Sequence, residues 1–301
     1  MHQSNVDRVK LSWQSKAVLL AVLPAVGASA VLETHWWVSQ MPPVAIWTVG
    51  LSALLGFVAL QMRTATAGAA ATGAAVTANM MFATVSFPYL PWRTALVPII
   101  VGLVLASLAT RAGRRRKEGL GTAESRRGRV ASQVAANLGV AALVSSDLVQ
   151  IWIGKSQWFS RAALAPIPVL APALAALAEA AADTVSSEVG QLLSGHPRMI
   201  TTMRSVQPGT DGAISIGGTA AGMIAAAAVA TAGTWALRGD LTMTAIAWAG
   251  GVFGLFFDSL LGATLEQRGW LNNDAVNFLS TASSAVFALG LLAILPHPGV
   301  G

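Results

Sequence analysis

The chain has no cysteine and one tyrosine, and Asp, Glu, Lys and Arg together make up only 11% of its 301 residues. Without cysteine, disulfides and thiolate metal sites are both excluded. Soluble domains carry about 25% charged residues. A chain this poor in charge and 54% hydrophobic, with mean hydropathy +0.61, therefore reads as an integral membrane protein, all-α. The four histidines, His2, His35, His196 and His297, are scattered and form no metal spacing. No Gly-x-x-x-x-Gly-Lys phosphate loop occurs. Residues 1–16 are polar and the apolar segment after them meets no cleavage-type break, so no cleaved signal peptide is expected. The net charge of +6 would point to nucleic acid in a soluble chain. In a membrane chain it reports cytoplasmic loops and anionic lipid, and no nucleic-acid partner is expected.

What is present is a polytopic bundle. Apolar windows fall at about 17–32, 44–60, 65–83, 95–110, 131–148, 162–182, 212–237, 243–263 and 275–295, giving nine candidate spans. The third and sixth are so rich in Ala and Gly that they read as buried, closely packed helices. With the N-terminus inside, the inner segments hold 15 of the 19 Lys and Arg residues, which predicts an N-in, C-out topology. Residues 1–301 form a single membrane domain, with a basic cytoplasmic loop at 111–130 and a polar, motif-bearing loop at 183–211. Trp36, Trp37, Trp92, Trp152 and Trp158 fall where interfacial aromatic belts are expected.

Four polar constellations interrupt this background. In Asp183-Thr-Val-Ser-Ser-Glu188-Val-Gly190, Asp183, Ser186 and Ser187 share one helix face. Such oxygen donors suit Mg²⁺, and equally suit a polar helix end meeting cytosol. Downstream, Arg198 and Arg204 precede the turn Pro208-Gly209-Thr210-Asp211-Gly212, which is expected to lead directly into a helix and to offer N–H groups to an anion. The competing reading is an N-cap at Thr210 or Asp211 followed by a Gly218–Gly222 packing face. Asp258 stands between Phe257 and Ser259 inside an apolar helix, where a carboxylate is expensive. After Asn272, Asn273 and Asp274, residues Asn277, Ser280, Thr281 and Ser284 make a polar stripe expected to face the bundle interior. Finally, Arg111, Arg114, Arg115, Arg116 and Lys117, then Arg126, Arg127 and Arg129, precede Gln133 and Asn137. That run serves topology and lipid headgroups, or captures a phosphorylated substrate.

Taken in order, Asp-Thr-x-x-Ser-Glu-x-Gly, Pro-Arg-x-Ile-Thr-Thr, Pro-Gly-Thr-Asp-Gly, Phe-Asp-Ser-Leu-Leu-Gly-Ala-Thr and Asn-Asp-x-Val-Asn-Phe-Leu-Ser resemble the membrane family once catalogued as domain of unknown function ninety-two. The Gly-Arg-Arg-Arg-Lys run and Gln133-Val-Ala-Ala-Asn137 fit it too, so that the resemblance spans about residues 50–295. The chain departs from it at Val185 and at Ser205-Val206-Gln207, where aromatic and basic or proline residues are more usual.

The family's phytyl-phosphate kinases convert a prenyl monophosphate to the diphosphate for tocopherol and quinone synthesis. Distant kinship to dolichol and phytol kinases and to CDP-lipid synthases makes CTP the favoured donor. The resemblance implies Asp183, Glu188 and Asp258 as catalytic Mg²⁺ ligands. It implies Arg198, Arg204, Thr210, Asp211, Gly212, Arg114, Arg115, Arg116 and Lys117 as phosphate or nucleotide contacts. Ser187, Asn137, Asn273, Asp274 and Asn277 would position substrate. A bacterial-type inner membrane with the motifs facing the cytoplasm is expected. The alternatives are a CTP-dependent lipid cytidylyltransferase and, from another class, a membrane transporter.

Overall fold

A computed structural model of the chain describes residues 12–114, 128–147, 149–150, 170–193 and 196–294. Within them lie nine long helices: α1 (Ser12–Gln40), α2 (Pro42–Gln61), α3 (Ala67–Phe82), α4 (Leu96–Arg111), α5 (Ala131–Ser145), α6 (Ala171–Leu193), α7 (Ile216–Ala236), α8 (Leu241–Leu261) and α9 (Asn273–Ile294). Five of these are long and apolar enough to cross a membrane: α1, α2, α7, α9, and α8 with its extension to Glu266. The fold is an all-α membrane bundle.

The helix starts follow from local chemistry. Pro42 and Pro43 open α2, where a missing N–H costs nothing. Side chains of Thr66, Ser215 and Asp240 accept hydrogen bonds from Ala69, Gly218 and Met243 N–H groups and so cap α3, α7 and α8. Asn272 does the same for α9, accepting from Ala275 N at 2.9 Å.

Helix α6 is the hub, packed against α4, α5, α7, α8 and α9. Its alanines permit this: Ala171, Ala175, Ala176, Ala178 and Ala182 are fully buried. Glycines on the facing helices complete the approach. A Cβ on Gly222 of α7 would stand 2.8 Å from Ala182 O, and one on Gly254 of α8 would stand 2.5 Å from Glu179 Cγ. The Gly218–Gly222 pair is thus a packing face, as one of the two sequence readings had it.

The sixth window ends too early. It was placed at 162–182, and the described helix runs from 171 to 193; residues 162–169 lie outside the described residues. Residues 183–193 are therefore helix and not loop, and Asp183 sits inside it. The polar stretch keeps its helical form because α7 and α8 shelter one side of it, and tertiary packing outweighs its modest propensity. Trp37 is likewise buried, against Val44 and Phe82, and is no belt residue, while Trp36 and Trp92 are exposed. Trp152 and Trp158 lie outside the described residues.

One end of the bundle gathers the start of α1, the ends of α2, α4, α6 and α8, and the starts of α3, α5, α7 and α9. Three links show this. Ala65 forms a parallel bridge with Arg129, Arg129 Nη2 donates to Thr184 Oγ1 at 3.3 Å, and Gln14 Nε2 donates to Trp270 O at 2.8 Å. All the polar motifs that lie among the described residues are at this end.

Candidate active site

At that end α6, α8 and α9 enclose a polar cavity of about 250 Å³, roofed by the turn at 208–213. Asp183, Ser186 and Ser187 reach it from α6, Asp258 and Ser259 from α8, and Asn273 and Asn277 from α9. The end of α8 loosens into a π-helical turn, Gly262–Glu266, which delivers Glu266 to the same space.

The turn itself is held by its backbone. Gly209 and Gly212 have φ of 84° and 74°, in the left-handed region that glycine tolerates. Thr210 spends its hydroxyl on Gln207 O at 2.7 Å, and Gln267 Nε2 donates to Asp211 O at 2.9 Å. The turn does not lead directly into a helix. A two-residue strand, β2 (Ala213–Ile214), intervenes and pairs antiparallel with β1 (Arg198–Met199), and Ser215 is the N-cap of α7. The helix start lies beyond the turn, and its Gly218 N–H is already taken by Ser215 Oγ at 3.1 Å.

Four carboxyl groups, Asp183, Asp211, Asp258 and Glu266, line the wall, and a fifth, Glu179, stands behind it. Asp183 is within hydrogen-bonding reach of Asp258 and in the field of Arg129. Glu179, one helical turn deeper on α6 and 1% exposed, feels the charge of both Asp183 and Asp258. Glu266 faces Asp183 and Asp211. Ser280 donates to Asn277 O at 3.0 Å and lies within hydrogen-bonding reach of Glu179 and Asp258. Glu179 Oε1 and Asp258 Oδ2 are buried without a hydrogen-bond partner. Acids this close need compensating positive charge, and among the described residues no lining side chain is basic.

Among the described residues no three carboxylate or histidine side chains converge into a ready-made metal cage. Mg²⁺ does not need one: it is held by one or two carboxylates with water and substrate phosphate oxygens completing the shell. The hard oxygen donors of the wall and the orphaned Asp258 Oδ2 fit such an ion.

Residues 50–285 match the family described as integral membrane protein DUF92. The chain belongs to this family. It is similar to uncharacterized membrane protein sll0875 of Synechocystis sp., 32% identical over 213 residues, covering 68% of this chain and 76% of that protein. Uncharacterized membrane protein MJ0933 of Methanocaldococcus jannaschii is 41% identical over 116 residues, 38% of this chain and 48% of that protein. Protein VTE6, chloroplastic, of Arabidopsis thaliana is 26% identical over 189 residues, 62% of this chain and 55% of that protein. The chain thus matches about half the length of the last two. No solved structure matches.

Within this DUF92 chain the structure sorts the sequence-predicted residues. Asp183, Ser187, Thr210, Asp211, Gly212, Asp258, Asn273 and Asn277 line the cavity together. Glu188 and Asp274 do not line it. Neither do Arg198 and Arg204: Arg198 is exposed and donates from Nη1 to Met203 O at 2.9 Å, folding back on its own turn. Arg114 and Asn137 line a different cavity, and Arg115, Arg116 and Lys117 lie outside the described residues. The stripe of Asn277, Ser280, Thr281 and Ser284 is buried, as its helical spacing indicated.

Two acids escaped the sequence reading. Glu179 is hidden in Leu177-Ala-Glu-Ala-Ala, and Glu266 looks like the first polar residue of a loop. The signal that would have found Glu179 is its cost, a carboxylate inside an alanine helix. Because Arg198 folds back on its own turn and Arg204 is exposed outside the cavity, Arg198→Ala and Arg204→Ala are each expected to change substrate KM by less than about twofold, as for exposed charges. Steady-state kinetics on the two variants checks this, and a tenfold rise in either would return that arginine to the site.

Proposed function

We propose that the chain is a membrane-bound prenyl-phosphate kinase that transfers the terminal phosphoryl group of a nucleoside triphosphate, CTP favoured, to a prenyl monophosphate such as phytyl phosphate. The observation that carries the reading is the carboxylate-lined cavity without a basic side chain. A triphosphate enters such a space only with divalent cations, and the donors are the hard oxygens that those cations prefer. The family resemblance supplies the reaction class and the prenyl-lipid substrate.

Asp183 and Asp258 would hold Mg²⁺, which when bound neutralises charge on the triphosphate, with Glu266 adding negative charge beside them. Asn273, Asn277 and Ser187 orient phosphate oxygens, while the turn at 208–213 closes the cavity against water. The acceptor monoester is already largely dianionic at pH 7, its second pKa being about 6. Its oxygen forms the new bond to the γ-phosphorus as the bond to the bridging oxygen breaks, and the electron pair leaves on the nucleoside diphosphate. No general base is needed, which suits a site without histidine. Nine spans, N-in and C-out, would put this end of the bundle in the cytoplasm of a bacterial-type inner membrane, as the Lys/Arg distribution asks.

A second reading has one observation in its favour. The seam from Asp258 through Ser280 to Glu179 and Ser284 runs into the bundle interior, as an ion path in a transporter does. The test is direct. Protein in nanodiscs is given Mg²⁺, labelled CTP, ATP or UTP, and phytyl or geranylgeranyl monophosphate. Prenyl diphosphate with nucleoside diphosphate is expected. A CDP-lipid with pyrophosphate would make the chain a cytidylyltransferase, and no turnover with any pair by folded protein would favour transport.

A further inference from the structure

A second cavity, of about 190 Å³, lies among α2, α3, α4, α5 and α6. It differs from the acidic one in every respect. Most of its wall is apolar and smooth, with Gly56, Gly73, Gly102 and Ala181 among the lining residues. One end is not apolar at all: Arg63, Arg111, Arg114 and Arg129 stand there with Thr64 and Thr110. The cavity reaches the molecular surface at this end, where Met62 is 51% exposed. Beside it on α2, Leu54, Phe57 and Val58 are exposed hydrophobics on a helix long enough to span lipid.

The arginine end is built and not incidental. Arg129 N donates to Thr64 O and Thr66 N donates to Arg129 O, at 3.0 and 2.9 Å, so the segment is stitched to the α2–α3 turn. Gly128 makes this possible. Its φ is +75°, and a Cβ there would stand 2.5 Å from Thr64 C and 2.8 Å from Arg63 O, both backbone atoms. Only glycine allows that approach, which holds Arg63 and Arg129 at one mouth. Arg129 then donates to Thr184, the neighbour of Asp183 in the acidic cavity. The two cavities therefore meet at one point on α6.

Four guanidinium groups at the rim of an apolar slot call for an anion with a hydrocarbon tail, since guanidinium recognises phosphate through charge-assisted, bidentate hydrogen bonds. Behind the guanidinium groups lies one apolar slot, so the ligand it matches is one phosphate carrying one hydrocarbon chain. We infer that it seats the tail of a single-chain phosphorylated lipid, with the phosphate on Arg63, Arg111 and Arg129 and Arg129 presenting it beside Thr184 and Asp183. That this lipid is the acceptor rests on the kinase reading. The seat itself does not.

The test is photolabelling without nucleotide. Wild-type protein in nanodiscs receives geranylgeranyl monophosphate carrying a diazirine on its terminal isoprene, and labelled peptides are mapped by mass spectrometry. Labels are expected on α2, α3 and α4 residues that line the slot. They should be competed by unlabelled geranylgeranyl monophosphate and not by geranylgeraniol or phosphatidylglycerol. Gly73→Leu adds a side chain where only Val134 Cγ1 lies within 4 Å, at 3.9 Å. It should cut labelling by the geranylgeranyl probe about tenfold, in the range a filled pocket commands, and spare a geranyl probe. Labels elsewhere, or equal competition by phosphatidylglycerol or the alcohol, would overturn the inference. Labelling in the slot without phosphoryl transfer would sustain it and remove the kinase reading, while transfer with labels elsewhere would do the reverse.

Discussion

On the kinase reading, Asp258→Asn is expected to lower turnover by about a hundredfold or more, the usual cost of losing an electrostatic contact made in the transition state, without loss of folded protein. The side chain keeps its shape and its hydrogen-bonding reach to Ser280 and Asp183, so what changes is charge. In the resting protein Asp258 is one of several carboxyls in a small volume, and one of its oxygens has no partner. Removing that charge relieves repulsion, so the variant should melt at the same temperature as the parent or above it. A stabilising change that destroys activity marks a group kept for function. The Mg²⁺ concentration giving half-maximal rate should rise with it. Glu179→Gln is the informative companion, because Glu179 is buried behind Asp183 and does not line the cavity. Its loss should be smaller in turnover and similar in stability, as befits a group acting through its neighbours. Unchanged turnover in Asp258→Asn would remove that residue from the site. A large drop in melting temperature would make it structural.

The helices were legible because an apolar window needs only composition, and a helix is the way an isolated segment satisfies its backbone in lipid. Asp258 and Asn277 were legible for the same reason inverted: a polar group inside such a window has a cost that demands a partner. The partners were not. Arg198 and Arg204 looked like a clamp because they flank the Gly-Thr-Asp-Gly turn in sequence, and nothing local reveals that Arg198 folds onto Met203 O. The pairing of β1 with β2 fixes the place of Arg198, and pairing is a tertiary fact. Arg129 shows the opposite failure. In sequence it is one more residue of a basic run, and only the bridge to Ala65 and the approach allowed by Gly128 lift it out of the loop and against Thr184. Glu179 was lost to averaging, since a window of alanines hides one acid.

Gly212→Ala should be the most damaging single-methyl change at the site. The residue sits at φ +74°, where an L side chain costs about 1–2 kcal/mol. Its new Cβ would also stand 2.3 Å from Ala263 N and 2.5 Å from Ala263 Cα, and backbone atoms cannot rotate aside. On the opposite face, a Cβ on Gly262 would meet Gly212 N at 2.7 Å, so the turn and the π-helical segment already touch with no side chain between them. The turn must lift, carrying Thr210 and Asp211 away from Asp258 and Glu266. A displacement of about 1 Å in a reacting constellation costs up to about a hundredfold. Turnover per folded molecule should therefore fall at least tenfold, and the melting temperature should fall too. Gly290→Ala is the control, because nothing lies within 4 Å of a Cβ there, and it should leave both quantities as they were. The comparison separates two meanings of a glycine turn. If Gly212→Ala melts earlier but each folded molecule turns over as before, the turn fastens the bundle and takes no part in the reaction. If turnover falls with stability restored by lipid or ligand, the close contact between turn and π-helix is what sets the spacing of the acids around the cavity.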